Sequence, residues 1–280
     1  MILVTTAGKV GSEAALLLRQ RGVPVRVLVR DPEKAKALAD AGAEMAVGDL
    51  DVPATIDEAM AGVDVVVLVS PAVPAEELNV IQSAVRAGAE HVIKATSKAS
   101  ADSPIARRRW QTEIETGLAA SGLPHTLLRS NAYMQNVLAL APAIAKTSGF
   151  GSAAGKGRVG MIDARDVAAV AAQIATAPSA HTGKTYWLTG PQLISNYDVA
   201  AVLSELLGRT ITYREIGFDE NRDALIRAGV PEAIAVMNAQ AFSLVAEGDS
   251  EWISEDVPSL LGLPARSFEQ FADDYAAAFS

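Results

Sequence analysis

The chain has 280 residues, of which 50% are hydrophobic and 20% are charged, and its formal net charge is −9. This composition predicts a globular protein with one or two domains, and the negative charge disfavours nucleic acids and membrane surfaces as partners. No stretch reaches the apolar length of a membrane span, and no basic segment precedes the apolar start. The absence of cysteine excludes disulfides and thiol chemistry and fits a cytoplasmic protein.

Six short β-branched runs alternate with helical stretches over the first 130 residues, from ILVTT to PHTLLRSNAY. The runs are continuously apolar, as strands are when helices cover both faces of a parallel sheet. Each of the five intervening helical stretches is followed by a glycine, which ends a helix in the left-handed conformation. These glycines are Gly22, Gly42, Gly62, Gly88 and Gly122. The alternation predicts an α/β fold with a doubly wound parallel Rossmann sheet.

The pattern changes after residue 132. A helix followed by a Gly/Ser-rich loop is predicted for residues 133–157, and one more helix and strand that would rejoin the sheet for 158–192. The remaining residues are mostly helical, with one strand-like piece, TITYREI. We therefore expect residues 1–132 and about 158–192 to form the Rossmann core. Residues 133–157 and 193–280 would form a smaller, mostly helical lobe.

The first turn between strand and helix, TTAGKVG, is typical of a site for the pyrophosphate of a dinucleotide. The N-terminus of the following helix offers free N–H groups to phosphate in such sites. Gly8 would allow the backbone to approach the ligand, and Gly11 would allow the helix, expected to begin at Ser12, to pack closely. A glycine-assisted turn that binds nothing is the alternative interpretation.

The end of the second predicted strand discriminates between the two nicotinamide cofactors. NAD-binding folds place an acidic residue here, whereas this chain has Arg30, with Lys34 one helical turn beyond. A guanidinium holds a 2′-phosphate through two parallel hydrogen bonds, so the sequence favours NADP(H) over NAD(H). An exposed arginine at a strand end is the alternative. Asp31 precedes Pro32 and is predicted to cap the next helix.

Seven segments spread over nearly the whole chain carry a resemblance to a known family. They are VTTAGKVG, LVRDPEKAKAL, VGDLD, AGAEHVIKATS, SGLPHTLLRSNAYMQN, GKGRVGMIDARDVAAVAA and LLGLPARSFEQFADDY. With them the chain resembles the NmrA-like group of atypical short-chain dehydrogenases/reductases. That group includes NADPH-dependent quinone reductases, triphenylmethane-dye reductases and regulators that sense the cofactor without catalysis. The chain departs from the expected pattern in two respects. Its glycine loop is one residue and one glycine shorter than the usual VTGATGKVG, and it lacks the Tyr-x-x-x-Lys pair that short-chain dehydrogenases commonly carry.

The resemblance implies contacts to a dinucleotide at the turns that follow the strands. The pyrophosphate would be surrounded by Thr6, Gly8, Lys9, Val10 and Gly11. The 2′-phosphate would be held by Arg30 and Lys34, and the adenine would be bordered by Asp49 and Leu50. The adenosine ribose would lie beside Val69 and Ser70, and the nicotinamide and its ribose beside Thr96, Ser97, Asn131 and Tyr133.

The reaction class follows from a missing motif. No tyrosine is followed four positions later by a lysine, so the usual acid for alcohol–ketone chemistry is absent. Hydride transfer to a flat, electron-poor quinone or dye leaves a delocalised product and needs mainly positioning. We therefore expect an NAD(P)H-dependent reductase with Tyr133 and Ser97 as candidate catalytic residues. A non-catalytic NADP(H) sensor and a cofactor-independent isomerase or cyclase are the alternatives.

Other polar groups are expected to be structural. The three histidines lack the spacing of metal ligands, so no metal site is predicted. Asp163 and Asp166 precede a helix or begin it, where carboxylates act as caps. The basic run RRRW at Arg107 to Trp110 is interpreted as a solvated helix face or a helix start. We expect a small-molecule substrate and, from the frequency of such assemblies, a homodimer.

Overall fold

The computed structural model describes all 280 residues. The strands are β1 (Ile2–Val4), β2 (Val25–Val29), β3 (Glu44–Val47), β4 (Val65–Leu68), β5 (His91–Thr96), β6 (His125–Ser130), β7 (Gly149–Ser152), β8 (Arg158–Val159), β9 (Thr185–Leu188), β10 (Ile194–Ser195) and β11 (Thr212–Glu215). The helices are α1 (Lys9–Gln20), α2 (Lys36–Asp40), α3 (Pro53–Ala59), α4 (Pro74–Ala87), α5 (Ala106–Ala120), α6 (Ala141–Thr147), α7 (Ala164–Ala175), α8 (Asn196–Leu207), α9 (Phe218–Arg227), α10 (Glu232–Ala246), α11 (Asp256–Leu261), α12 (Phe268–Asp274) and α13 (Ala276–Phe279). Short 3-10 helices span Pro32–Ala35, Met134–Leu140 and Pro178–His181.

Seven strands form the central sheet in the order β3-β2-β1-β4-β5-β6-β9, and all neighbours are parallel. The doubly wound Rossmann sheet predicted from the strand–helix alternation is thereby confirmed. β9, from the segment expected to rejoin the sheet, pairs with β6. The strand order reverses between β1 and β4, so the connections that leave their carboxyl ends diverge and open a crevice there.

Two hydrophobic cores cover the two faces of the sheet. Successive strand residues point to opposite faces, so Ile2 and Val4 belong to the first core and Leu3 to the second. The first core has 28 buried residues and includes side chains of α1 and α7. The second has 17 and includes side chains of α3, α4 and α5. Burial on both faces explains why the strands read as continuous apolar runs instead of alternating ones.

A third core of 15 buried residues lies in the part of the chain that was expected to form the smaller lobe. Its strands correct one prediction, because the segment expected to be a Gly/Ser-rich loop contains β7, which pairs in parallel with β11. Glycine suits this strand, since a Cβ on Gly149 would lie 2.9 Å from the carbonyl oxygen of Thr212. The lobe boundaries at residues 132, 157 and 192 stay a proposal. No helix combines the length and apolarity that crossing a membrane requires.

The glycines that follow the first five helical stretches all have positive φ, from 69° to 84°, as predicted for helix ends. The start of α1 differs from the prediction, because the helix begins at Lys9 and not at Ser12. Gly8 is its N-cap residue, and the N–H of Ser12 donates to the Gly8 carbonyl at 2.9 Å. Gly11 therefore lies in the first turn, where a Cβ atom would overlap the backbone of Thr6.

Candidate active site

The carboxyl ends of the sheet strands border a cleft of about 1000 Å³, at the edge where parallel sheets bind ligands. Fourteen of the fifteen predicted site residues line it, and the exception is Gly11, which is buried beneath the turn. The fourteen are Thr6, Gly8, Lys9, Val10, Arg30, Lys34, Asp49, Leu50, Val69, Ser70, Thr96, Ser97, Asn131 and Tyr133. These side chains share one cavity, whereas the role of each stays a prediction.

The turn between β1 and α1 is fixed by hydroxyl groups that bond to the end of β4. Thr5 Oγ1 accepts a hydrogen bond from the N–H of Val69 at 2.9 Å and donates to its carbonyl at 2.8 Å. The Thr6 hydroxyl donates to the same carbonyl at 3.0 Å. These bonds hold the shortened turn rigidly against the neighbouring strand, without the additional glycine that the family usually has.

The N-terminus of α1 has no partner for its free N–H groups. Gly8 provides no side-chain cap, and no acidic residue occupies the first helical turn. A Cβ atom on Gly8 would meet only the hydroxyl of Thr6, at 3.7 Å, so this position faces open space in the cleft. Uncapped N–H groups at the positive end of a helix dipole favour an anion, and the turn is therefore suited to a phosphate group.

Arg30 follows β2 directly, lines the cleft and forms neither an ion pair nor a hydrogen bond within the chain. Lys34 is mainly in solvent, with 84% of its side chain exposed and its Nζ 3.4 Å from Asp31 Oδ2. The Asp31 carboxylate accepts a hydrogen bond from the N–H of Glu33 at 3.2 Å, which confirms its predicted capping role. Asp31 is thus occupied by the helix, and the charge of Arg30 is available to a ligand.

Carboxylates line the cleft on the other side of Arg30. Burial raises the pKa of Glu76. The negative charges of Asp51 and Asp49 raise it further, and the positive charge of Arg30 lowers it. Asp49 is held by a local turn, in which its carboxylate accepts from the N–H of Asp51 at 3.1 Å. Leu50 is buried, so that at this position the wall of the cleft is apolar.

A buried ion pair supports the turn after β4. Lys94 Nζ lies 2.8 Å from Glu77 Oε2, and neither side chain has any exposed surface. Glu77 Oε1 accepts the Ser70 hydroxyl at 2.6 Å, and Ser70 Oγ accepts from the N–H of Ala72 at 3.2 Å. Ala72 has a φ of +64°, which is strained for a residue with a side chain. The Ser70 hydroxyl is therefore directed inward, where it holds a strained turn beside the cleft.

Two α5 residues that the sequence interpretation missed hold the Thr96 hydroxyl. Thr96 Oγ1 lies 2.9 Å from Gln111 Oε1 and 2.9 Å from Glu115 Oε1, and Glu115 is ion-paired with Arg129. Gln111 and Glu115 lie one turn apart on α5. This helix face therefore orients Thr96. The i, i+4 spacing of Gln111 and Glu115 was the sequence signal that could have indicated a shared face.

Tyr133 lies half-buried at the end of the cleft next to β6, where its backbone bridges to Ile162. Burial raises the pKa of its phenol, so the hydroxyl keeps its proton at neutral pH. Ser130 Oγ is buried, lines the cleft and has no hydrogen-bond partner within the chain. Ser97 lines the same end. These hydroxyls are free to meet a bound molecule.

The smaller lobe forms the remaining wall of the cleft through α10 and the segment after it. Its lining residues are Asn238, Ala241, Phe242, Val245, Ser250 and Trp252. The Asn131 amide donates to the Ser250 carbonyl at 3.1 Å, so its nitrogen ties this segment to the end of β6. Asp249 pairs with Lys98 at 2.8 Å and with Arg108. Arg108, and after it Lys98, hold the pKa of Asp249 below its ordinary value.

The basic run lies at the start of α5, as expected, but the interpretation as a solvated face is wrong for two of its arginines. Arg107 and Arg108 line the cleft, and only Arg109 is exposed, where it donates to the carbonyls of Ser103 and Pro104. Helix periodicity alone does not reveal which side of an N-terminal turn faces a cavity.

The carboxylates near α7 have structural roles. Asp163 caps the helix by accepting from the N–H of Arg165 at 2.8 Å, and Asp166 accepts from the N–H of Arg266 at 2.7 Å. No three His, Cys, Asp or Glu side chains converge in a way that could hold a metal ion.

Comparison with known proteins agrees with this geometry. The model of the NmrA-like family matches residues 1–260. The chain belongs to the NmrA-like family. It is 37% identical to the NAD(P)H azoreductase of Xenophilus azovorans over 100% of this chain and 99% of that protein. The NADPH-dependent quinone oxidoreductase of Escherichia coli, solved with NADPH, is 29% identical, and its TM-score is 0.89 over 99% of this chain and 100% of the other.

A third comparison involves a dye reductase. The Citrobacter sp. triphenylmethane reductase, solved with NADP(H), is 27% identical to this chain, with a TM-score of 0.87. The match covers 98% of this chain and 99% of that one. All three likenesses extend over both the sheet and the smaller lobe, as the seven motif segments predicted.

Proposed function

We propose that this protein is an NAD(P)H-dependent reductase that transfers hydride to a flat, electron-poor acceptor such as a quinone or a dye, and that it prefers NADPH. The observation that carries the proposal is the cleft itself, which combines an uncapped α1 N-terminus with the unpartnered Arg30. Support comes from whole-length similarity to an NAD(P)H azoreductase and to a quinone oxidoreductase solved with NADPH.

The cofactor fits the residues at one end of the cleft. The free N–H groups of α1 would bind the pyrophosphate, and the open space beside Gly8 leaves room for it. Arg30, assisted by the exposed Lys34, would bind the 2′-phosphate that distinguishes NADPH from NADH. When bound, the reduced nicotinamide supplies the hydride.

The other end of the cleft would hold the acceptor. Phe242 and Trp252 provide aromatic surface against which a flat molecule can stack. Tyr133 keeps its proton at neutral pH because burial raises its pKa, and its phenol is available to a reduced oxygen or nitrogen of the acceptor. Ser130 and Ser97 supply further hydroxyls beside it.

Two measurements on the purified protein test the proposal. NADPH and then NADH are titrated by nicotinamide fluorescence, and the oxidation of NADPH is then followed by absorbance with a series of quinones and dyes as acceptors. Binding followed by acceptor-dependent oxidation is expected. Binding without oxidation by any quinone or dye would leave a cofactor sensor, and no binding of either nucleotide at millimolar levels would overturn the reductase proposal altogether.

A further inference from the structure

The carboxylates that line the cleft are confined to one end of it, whereas basic residues line both ends. We call the turns after β1 to β3 with the start of α4 the nucleotide end. The acceptor end comprises the turns after β5 and β6, the start of α5, α10 and residues 249–252. All carboxylates that line the cleft belong to the nucleotide end and are Asp31, Asp49, Asp51 and Glu76. The charged residues that line the acceptor end are all basic and are Lys98, Arg107 and Arg108.

The segment of residues 249–252 carries two carboxylates, Asp249 and the exposed Glu251, which are fewer than the three basic residues that line the acceptor end. Asp249 serves both Lys98 and Arg108, so one negative charge is shared between two positive charges. Glu115, on the same helix as Arg107, is ion-paired with Arg129. The acceptor end therefore keeps an excess of positive charge in a protein whose net charge is −9.

Among these basic residues, Arg107 is the one without a partner. It lies in the first turn of α5, is only partly exposed, and forms neither a hydrogen bond nor an ion pair within the chain. Burial lowers the pKa of its guanidinium, since water is displaced and no carboxylate replaces it. A desolvated cation without a partner is unfavourable for the free protein, so it indicates a ligand that supplies the opposite charge.

We propose that the acceptor carries an anionic substituent (a carboxylate, sulfonate or phosphate ester) and that Arg107 binds it. This inference rests on the proposed function and names the substrate class. A guanidinium is well suited to such groups, because its planar donors match their oxygen pairs. Phe242 and Trp252 would contact the aromatic body of the acceptor while Arg107 holds its charge. Neutral quinones would be poorer substrates, and cationic dyes would be disfavoured by repulsion.

Steady-state kinetics with two matched acceptors test the proposal. The kcat/KM values of a naphthoquinone sulfonate and of unsubstituted naphthoquinone are compared between the wild type and Arg107→Gln. Loss of a charge-assisted hydrogen bond is expected to lower kcat/KM for the sulfonate about ten- to hundredfold. The value for the neutral quinone is expected to change by less than about twofold, because that acceptor has no charge for Arg107 to bind. Arg109→Gln removes the same charge from an exposed position and is the control.

The outcomes separate this inference from the proposed function. Equal losses for both acceptors, or a raised Kd for NADPH in Arg107→Gln, would overturn the inference, because Arg107 would then serve the fold or the cofactor. If the wild type oxidises NADPH with neither of these quinones and with no other quinone or dye, the proposed function fails. Equilibrium dialysis of naphthalene sulfonate and naphthol against the NADP⁺-saturated protein then decides the inference. Selective binding of the sulfonate that Arg107→Gln abolishes supports it, and equal binding of the two overturns it.

Discussion

The two ends of the cleft differ in how far along the chain their contacts reach. At the nucleotide end, Asp31 bonds to a residue two positions away, and the Thr5 and Thr6 hydroxyls bond to Val69, 64 and 63 residues away at the end of a strand in the same sheet. At the acceptor end, Lys98 pairs with Asp249 across 151 residues, and Asn131 bonds to Ser250 across 119. The turns of the nucleotide end are therefore held by their own residues and by the sheet, whereas the acceptor end exists only when the smaller lobe is packed against the sheet.

This difference indicates how the two ends respond to change. A turn fixed by backbone geometry fails when a side chain no longer fits, whereas ion pairs between distant segments weaken gradually and depend on burial. Substitutions at the nucleotide end are expected to change the affinity for the cofactor. Those at the acceptor end are expected to change selectivity and KM.

The largest effect on stability is expected at the buried ion pair of Lys94 and Glu77, which supports the turn after β4. Lys94→Met leaves an unpaired buried carboxylate and is expected to destabilise the fold by about 3–5 kcal/mol, measured by urea unfolding. Lys36→Met, which breaks an exposed pair with Asp40, serves as the control and is expected to cost under about 1 kcal/mol.

The double variant Lys94→Met/Glu77→Leu sharpens this prediction. With both charges removed, it is expected to be more stable than Lys94→Met by at least about 2 kcal/mol, because no buried charge remains unpaired. A double variant as unstable as the single one would show that the pair matters through packing and the Ser70 hydrogen bond and not through its charge.

The next effect concerns the glycines of the α1 turn. Gly11→Ala introduces a Cβ that overlaps the backbone of Thr6, and it is expected to destabilise the fold by about 1–3 kcal/mol and to weaken NADPH binding. Gly8→Ala, whose Cβ faces the open cleft, is expected to keep the stability of the wild type and to lose NADPH affinity only. Equal unfolding free energies for the two variants would contradict the packing role of Gly11.

A smaller, selective effect is expected at Arg30. Arg30→Ala removes the charge available to a 2′-phosphate and is expected to raise the Kd of NADPH about ten- to hundredfold, measured by nicotinamide fluorescence. The Kd of NADH is the internal control and is expected to change little, since NADH has no group for Arg30 to hold. An equal rise in Kd for NADPH and NADH would show that Arg30 binds a group that both nucleotides have, and not the 2′-phosphate.

The contrast between the nucleotide end and the acceptor end also explains how much could be predicted from the sequence. Strand runs, helix-ending glycines and the TTAGKVG turn are local patterns, so the sheet and the nucleotide end followed from them. β7 was missed because a strand made of Gly149–Ser152 resembles a loop until its partner β11 is known. Arg107 was interpreted as solvated because nothing near it in sequence reveals the lobe that closes the cleft above α5.

The smallest effect tests the long-range contacts of the acceptor end directly. Asp249→Asn keeps the shape of the side chain but removes the charge that links the lobe to Lys98 and Arg108. These groups are partly exposed, so stability is expected to fall by under about 1 kcal/mol. The KM of a neutral acceptor is expected to rise about two- to fivefold, and the Kd of NADPH to stay unchanged. Glu251→Gln, an exposed change on the same segment, is the control.

The pH dependence of this link provides an independent check. Arg108, and after it Lys98, lower the pKa of Asp249 from 3.8, so the carboxylate binds fewer protons in the folded protein than in the unfolded one. The stability that it contributes is therefore complete above that ordinary pKa and is lost as the pH falls below about 4. The wild type and Asp249→Asn should differ in KM throughout the neutral range and converge in stability only in acid. If the difference in KM between the wild type and Asp249→Asn disappeared near neutral pH, a group other than the Asp249 carboxylate would be responsible for it.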